Sequence, residues 1–166
     1  GDGELAFQDY FVRQRCEPIV RGFRFAGILQ SKPAPGVVEA LHRADLVVLC
    51  PSNPWVSLDP ILAVPGVKEA IGMRRVVCVS PIIGGKTVKG PAAKMFSELG
   101  IPATAEAVAA HYGSLLSGFV LDEQDADQAK AVQGMDILPY VTDIIMKSRL
   151  DRRRLALEVL EFSKLL

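Results

Sequence analysis

Two short stretches hold most of the side chains able to do chemistry. In the first, Pro51 to Ser57, two hydroxyls (Ser52 and Ser57) and one amide (Asn53) surround a turn braced by Pro51 and Pro54. Ser57 is a candidate cap for a following helix, and the unpaired N–H groups of a helix start attract phosphate oxygens. In the second, Ser80 to Pro91, the pair Gly84 and Gly85 lets backbone amides approach an anion, while Lys86 and Lys89 add positive charge. Both stretches point to capture of an oxyanion such as a phosphate. Each also has a plainer explanation: a proline-braced turn with an ordinary helix cap, and a tight glycine turn beside solvated lysines.

Other chemistries have less support. Gly85, Lys86 and Thr87 match the end of an ATPase phosphate loop, but Ser80 stands where its first glycine belongs, and Gly90 and Pro91 delay the helix that should follow at once. No Gly-x-Ser-x-Gly elbow surrounds Ser52, Ser57 or Ser80, so a serine hydrolase has no anchor. His42 and His111 fall on separate predicted helices without zinc-site spacing. Asp122, Glu123, Asp125 and Asp127 follow one predicted strand and Asp143 another; one of them could hold a hydrated Mg²⁺, although capping of a helix at 126–132 explains the group more simply. Cys16, Cys50 and Cys78 are odd in number and lack a C-x-x-C, and the latter two, in apolar runs, are expected as buried thiols. Arg13, Arg15, Arg21 and Arg24 accompany Phe23 and Phe25 in a half-exposed segment whose aromatics should pack inward. Arg152, Arg153 and Arg154, with Glu158 one turn on, read as a solvated helix face.

The two loops need strands to hold them, and the sequence supplies these. Segments 45–50 and 75–80 are apolar on both faces, as strands covered by helices on each side must be, and 118–122 and 136–141 repeat the pattern more weakly. Between them, 36–44, 57–72, 91–99, 103–112 and 126–132 carry apolar residues at helical spacing. The alternation predicts an α/β fold, a doubly wound and mostly parallel sheet with Rossmann-like crossovers. In such sheets the ligand crevice lies outside the carboxyl ends of the strands, where 51–57 and 81–91 leave. Ser148 and Asp151 form a capping box for a last helix with Leu155, Val159, Phe162 and Leu166 on one face. Residues 4–15 read as a helix with Phe7 and Phe11 one turn apart, and Ile19 to Phe25 as a strand. Residues 1–166 are thus expected as a single α/β domain, with 1–34 a helix–strand extension within it. A doubly wound nucleotide fold usually opens with a strand and a glycine-rich turn, so a start in a charged helix predicts a sheet lacking its N-terminal strands.

Composition narrows the partners. Lys plus Arg and Asp plus Glu both number 19, so no overall charge draws the chain to nucleic acid or an anionic membrane, and an anion must be captured locally. The uncharged stretch Leu46 to Leu58 is broken by prolines and falls short of the roughly 18 apolar residues of a membrane span. No signal-peptide layout is present at the start, and a cytoplasmic location is expected.

Beyond single motifs, Cys50 to Gly66, Val79 to Met95, Asp151 to Ala156 and the segment Glu4 to Phe25 together resemble the 2-phospho-L-lactate transferase family of coenzyme F-420 biosynthesis. The similarity extends over essentially the whole chain and corresponds to about the carboxyl-terminal half of a full-length member. It implies transfer of a phospholactyl (or phosphoenolpyruvyl) group from a guanosine diphosphate ester to the ribityl hydroxyl of the deazaflavin Fo, releasing GMP with Mg²⁺ assistance. By the same carry-over, Ser52, Asn53 and Ser57 border the phosphates and Fo, and Gly84, Gly85 and Lys86 line the same cleft. No catalytic residue is assigned, and the Mg²⁺ ligands are expected in the N-terminal part, which has no counterpart here. A related alternative sharing the fold and the Ser/Asn-Pro loop is a non-catalytic, nucleotide-sugar-binding regulator of the gluconeogenesis-factor type; a third is a fragment inactive alone. An exposed sheet edge favours pairing with another chain, so a homodimer is a further expectation. Two substitutions follow: Asn53→Ala should weaken transfer with little loss of fold, and Val48→Asp, in a central strand, should unfold the chain.

Overall fold

The computed structural model describes residues 3–87 and 91–166; Lys89 and Gly90 lie outside the described residues. Four strands, β1 (Leu46–Leu49), β2 (Arg75–Val79), β5 (Gly118–Leu121) and β6 (Leu138–Val141), form a sheet in the order β1-β2-β5-β6 with every pair parallel. The expected α/β fold with a parallel sheet is therefore present. Its register sets Leu49 opposite Cys78, Cys78 opposite Phe119 and Phe119 opposite Pro139. A separate antiparallel hairpin, β3 (Ile82–Ile83) and β4 (Lys86–Thr87), follows β2.

Helices α1 (Val37–Arg43), α2 (Asp59–Leu62), α3 (Val67–Gly72), α4 (Ala92–Glu98), α5 (Ala105–Tyr112), α6 (Ala129–Gln133) and α7 (Arg149–Phe162) connect or flank the strands. Period-2 alternation splits the core in two. Val76, Cys78, Phe119 and Leu121 face the larger cluster, with Met95, Phe96, Val108 and Val132 from the crossover helices. Val77, Val79 and Val120 face a smaller cluster built on Leu155, Val159 and Phe162 of α7. The helix α7 starts as its residues dictate: the Ser148 hydroxyl accepts from the Asp151 N–H at 3.2 Å, and Asp151 accepts in return from the Ser148 N–H at 2.6 Å. These bonds hold the Asp151 carboxyl below its usual range. Phe162 then lies so close over Gly118 that a Cβ there would come within 2.7 Å of the ring.

Several expectations are corrected. The strand read at Ile19 to Phe25 is irregular backbone with no sheet partner, and the helix read over 4–15 narrows to a π-type turn, Asp9–Arg13, preceded by a short helical lead-in. Local polarity could not reveal what holds this segment. The Val20 N–H donates to Glu98 at 3.0 Å, Lys94 donates to the Pro18 carbonyl at 2.9 Å and pairs with Glu98, and Phe23 stacks on Trp55 at 5.8 Å. The helix read at 57–72 is broken into α2 and α3, with Gly66 at φ 85° between them. Strand β1 is an edge strand among the described residues, and its Val48 is 37% exposed because the cluster under α7 is centred on β2 and β5 and reaches β1 only through the partly buried Leu46. Cys50 is exposed, whereas Cys78 is buried and burial pushes its thiol far up.

The strand order fixes which substitution unfolds the protein. Val120→Asp places an unpaired charge at a fully buried central position and should remove several kcal/mol, a large part of the about 5–15 kcal/mol that holds a domain together. Val48→Asp should leave the urea midpoint nearly unchanged; equal midpoints for the two variants would refute the assignment of β1 as the edge.

Glu98 gives a second expectation. Partial burial raises its pKa, but the Lys94 ammonium and the Val20 N–H outweigh this and leave it below the ordinary glutamate value. The straps at Pro18 and Val20 are therefore fully held above that ordinary value and released as pH falls through the lowered folded one. Proteolysis within the first 30 residues should accelerate in Glu98→Gln at neutral pH, and in the wild type only in acid.

Candidate functional site

Because the four strands are parallel, the segments after Leu49, Val79, Leu121 and Val141 all leave the same edge of the sheet. The two stretches singled out from sequence, 51–57 and 80–91, thus start side by side at the carboxyl rim. Three hydrogen bonds stitch the rim together. The Asn53 amide donates to the Met95 sulfur of α4 at 3.1 Å. The Gly84 N–H donates to both carboxylate oxygens of Asp125, at 3.2 and 3.0 Å. The Ile144 N–H, beyond β6, donates to Asp122 at 3.1 Å.

The first loop follows from its residues. Asn53 is extended, and its side-chain oxygen accepts from the N–H groups of Trp55 and Val56 at 3.0 and 3.3 Å, capping a π-type turn over Pro54–Leu58. Pro54 has no N–H to satisfy, and Ser57 and Leu58 donate to the Asn53 carbonyl at 3.1 and 3.4 Å. Ser57 lies inside the turn and is not the cap expected from sequence; Asn53 is. The amides of this short turn are consequently spoken for, leaving the half-buried hydroxyls of Ser52 and Ser57 without a hydrogen-bond partner among the described residues.

In the second loop, Gly84 and Gly85 adopt φ of 53° and 75°, the two left-handed positions of a two-residue hairpin turn between β3 and β4. The anion cradle expected there is corrected in one respect: the Gly84 N–H already faces a carboxylate, that of Asp125, which is 2% exposed. Lys86 is exposed on β4. Ser80, also nearly buried, is turned inward, donating to the Ile82 carbonyl at 2.9 Å and accepting from its N–H at 3.1 Å.

The acidic cluster after β5 was weighed from sequence as a cap or a cation site. Asp122 is the cap, accepting from Gln124 N–H at 3.0 Å, and it also carries the bond from Ile144. Asp125 adds Gln128 at 3.0 Å to its bonds from Gly84. With their oxygens committed to protein donors, these two do not make a cation site, and among the described residues no group of three acidic, His or Cys side chains could hold a metal ion. The bond from Asp125 to Gly84 spans 41 residues, which is why sequence spacing could not reveal it.

An all-parallel sheet with its loops gathered and tied at the carboxyl rim defines an open α/β protein, a class in which ligands commonly bind outside the carboxyl ends of the strands. The chain belongs to the 2-phospho-L-lactate transferase family: residues 1–159 match the family described as 2-phospho-L-lactate transferase CofD. It is 42% identical over 145 residues to a phosphoenolpyruvate transferase of Thermobifida fusca, covering 86% of this chain and 45% of that protein. A phosphoenolpyruvate transferase of Streptomyces coelicolor is 44% identical over 151 residues (87% and 47%). A 2-phospho-L-lactate transferase of Methanosarcina mazei is 36% identical over 155 residues (93% and 51%). The chain therefore spans about half the length of these relatives. No helix among the described residues is long and apolar enough to cross a membrane.

Two substitutions probe the stitching. Asn53→Ala removes a cap and should cost about 1 kcal/mol of stability by itself, which chemical denaturation would register. Asp125→Ala strips the acceptor from a partly buried Gly84 N–H and should cost about 1–3 kcal/mol, with Asp125→Asn recovering part of it. If Asp125→Ala left both stability and the amide-exchange rate of Gly84 unchanged, the tie would carry no energy.

Proposed function

We propose that this chain forms the carboxyl-half wall of the cleft in a transferase that moves a phospholactyl or phosphoenolpyruvyl group from a guanosine diphosphate ester to the ribityl hydroxyl of the deazaflavin Fo, releasing GMP. The observation that carries the proposal is that the two loops leave neighbouring parallel strands at one rim in a chain of this family. The relatives from three organisms, named phosphoenolpyruvate transferase and 2-phospho-L-lactate transferase, support the choice of transferred group.

In this reaction an Fo hydroxyl oxygen forms a bond to the phosphorus carrying the acyl unit, the bond from that phosphorus to the bridging oxygen breaks, and GMP departs while the hydroxyl proton is lost. Such a transfer asks little covalent chemistry of the protein and much positioning and charge stabilisation. The Ser52 and Ser57 hydroxyls are proposed to donate to phosphate oxygens, and the Lys86 ammonium to balance their charge. Asn53, Gly84 and Gly85 are proposed to shape the same cleft by fixing the two bends. The described residues do not fit a Mg²⁺ site.

The test is GMP release by the whole reading frame containing this chain, followed chromatographically with donor ester in the presence and absence of Fo. Release should depend on Fo, and Lys86→Ala should lower kcat/KM for the donor by about 10- to 100-fold with unchanged thermal stability. Release independent of Fo would overturn the proposal. So would stabilisation by UDP-sugars and not by GDP, which would favour a regulator that binds nucleotide sugars.

A further inference from the structure

One pair of titratable side chains is left unused by this chemistry. His111, in the last turn of α5, directs Nε2 at both oxygens of Asp59, the first residue of α2, at 2.9 and 3.0 Å. An ionised carboxylate only accepts, so Nε2 carries the hydrogen in either charge state of the ring. Both side chains are roughly three-quarters buried, at 26% and 22% exposure, which makes the pair more than a solvated surface contact.

The pair closes a bend that starts at the rim. Asp59 directly follows the Pro54–Leu58 turn, and its N–H donates to the Pro54 carbonyl as the closing bond of that turn. Trp55, inside the turn and 8% exposed, meets the His111 ring edge-on at 5.9 Å and 78°. The same indole contacts Phe96 at 4.5 Å and Phe23 at 5.8 Å. His111 therefore holds the turn at two places, by its Nε2 at the carboxyl end and by its ring at the indole. π-type turns are rare and occur frequently at functional sites, and this one is capped by Asn53 at its start and anchored by His111 at its end.

We propose that His111 and Asp59 are positioning residues for the bend after β1: the pair fixes the π-type turn and so sets where Ser52 and Ser57 present their hydroxyls at the rim. The importance of that placement rests on the transferase reading above; the placement itself does not. The pair lies beside a hollow of about 330 Å³ lined by Asp59, Lys68, His111 and Tyr112, with Phe25 and Leu115 among its apolar walls. Asp59 from α2, Lys68 from α3 and Tyr112 from α5 are the titratable groups that share this hollow with His111.

Trp55 is the only tryptophan of the chain, so its spectrum reports the turn. His111→Gln retains a donor for Asp59; it should keep the near-ultraviolet circular dichroism of Trp55 and GMP affinity within about twofold. His111→Ala should shrink the near-ultraviolet signal and weaken GMP binding by about five- to tenfold at unchanged helix content. A wild-type Trp55 signal in His111→Ala, or the same loss of signal in His111→Gln, would overturn the proposal. Should His111→Ala not fold, Asp59→Asn (acceptor kept, signal retained) against Asp59→Ala (acceptor lost, signal shrunken) makes the same decision. A wild-type chain that does not bind GMP tells against the transferase reading; the pair is then judged on the Trp55 signal alone.

Discussion

Parallel pairing is the constraint from which the rest of the molecule follows. Parallel neighbours cannot be joined by a hairpin, so the chain must cross back after each strand, and all connections leaving the strands begin at one edge. Their backbone donors then face a region where the ladder has ended and nothing regular replaces it. Buried or half-buried N–H groups must find an acceptor, and here the acceptors are side chains: Asn53 for its own turn, Asp125 for Gly84, Asp122 for Gln124 and Ile144. The rim is consequently a set of loops tied to one another by hydrogen bonds, those ending on Asp122 and Asp125 being charge-assisted and stronger than neutral ones.

That economy changes what an anion can use. A helix start or a glycine pair is often treated as a ready supply of amides, but here the amides of 55–58 and of Gly84 are committed within the protein. Groups with capacity to spare are side chains raised on the fixed loops, the hydroxyls of Ser52 and Ser57 and the exposed ammonium of Lys86. Rigid loops carrying a few such groups suit phosphoryl transfer, where the protein contributes mainly position and charge. Membership of the 2-phospho-L-lactate transferase family agrees with this economy.

The sheet is covered unequally. Crossover helices bury one face, while α7 lies across β2 and β5 on the other and leaves β1 at the margin, with Val48 partly open. The described residues from 3 to 30 add no strand; they are strapped to α4 through Lys94 and Glu98 and reach the first loop through the stack of Phe23 on Trp55. Trp55 is thus where extension, rim loop and α5 meet, which is a reason for the chain to spend its single tryptophan there.

Periodicity and turn chemistry in the sequence determined the parallel α/β class, the four strands within one or two residues, the capping box of α7 and the location of both loops at the carboxyl rim, because each of these is set by residues within a few positions of one another. Tertiary structure alone decided the rest. That Ile19 to Phe25 is irregular, that β1 is an edge, that Asn53 and not Ser57 caps the turn, and that Gly84 spends its amide on Asp125 all depend on partners distant in sequence or on competition among neighbours for one acceptor. Local spacing can nominate a donor or an acceptor; only the packed chain determines which of them meet, since each hydrogen-bonding group has few places and the fold allots them.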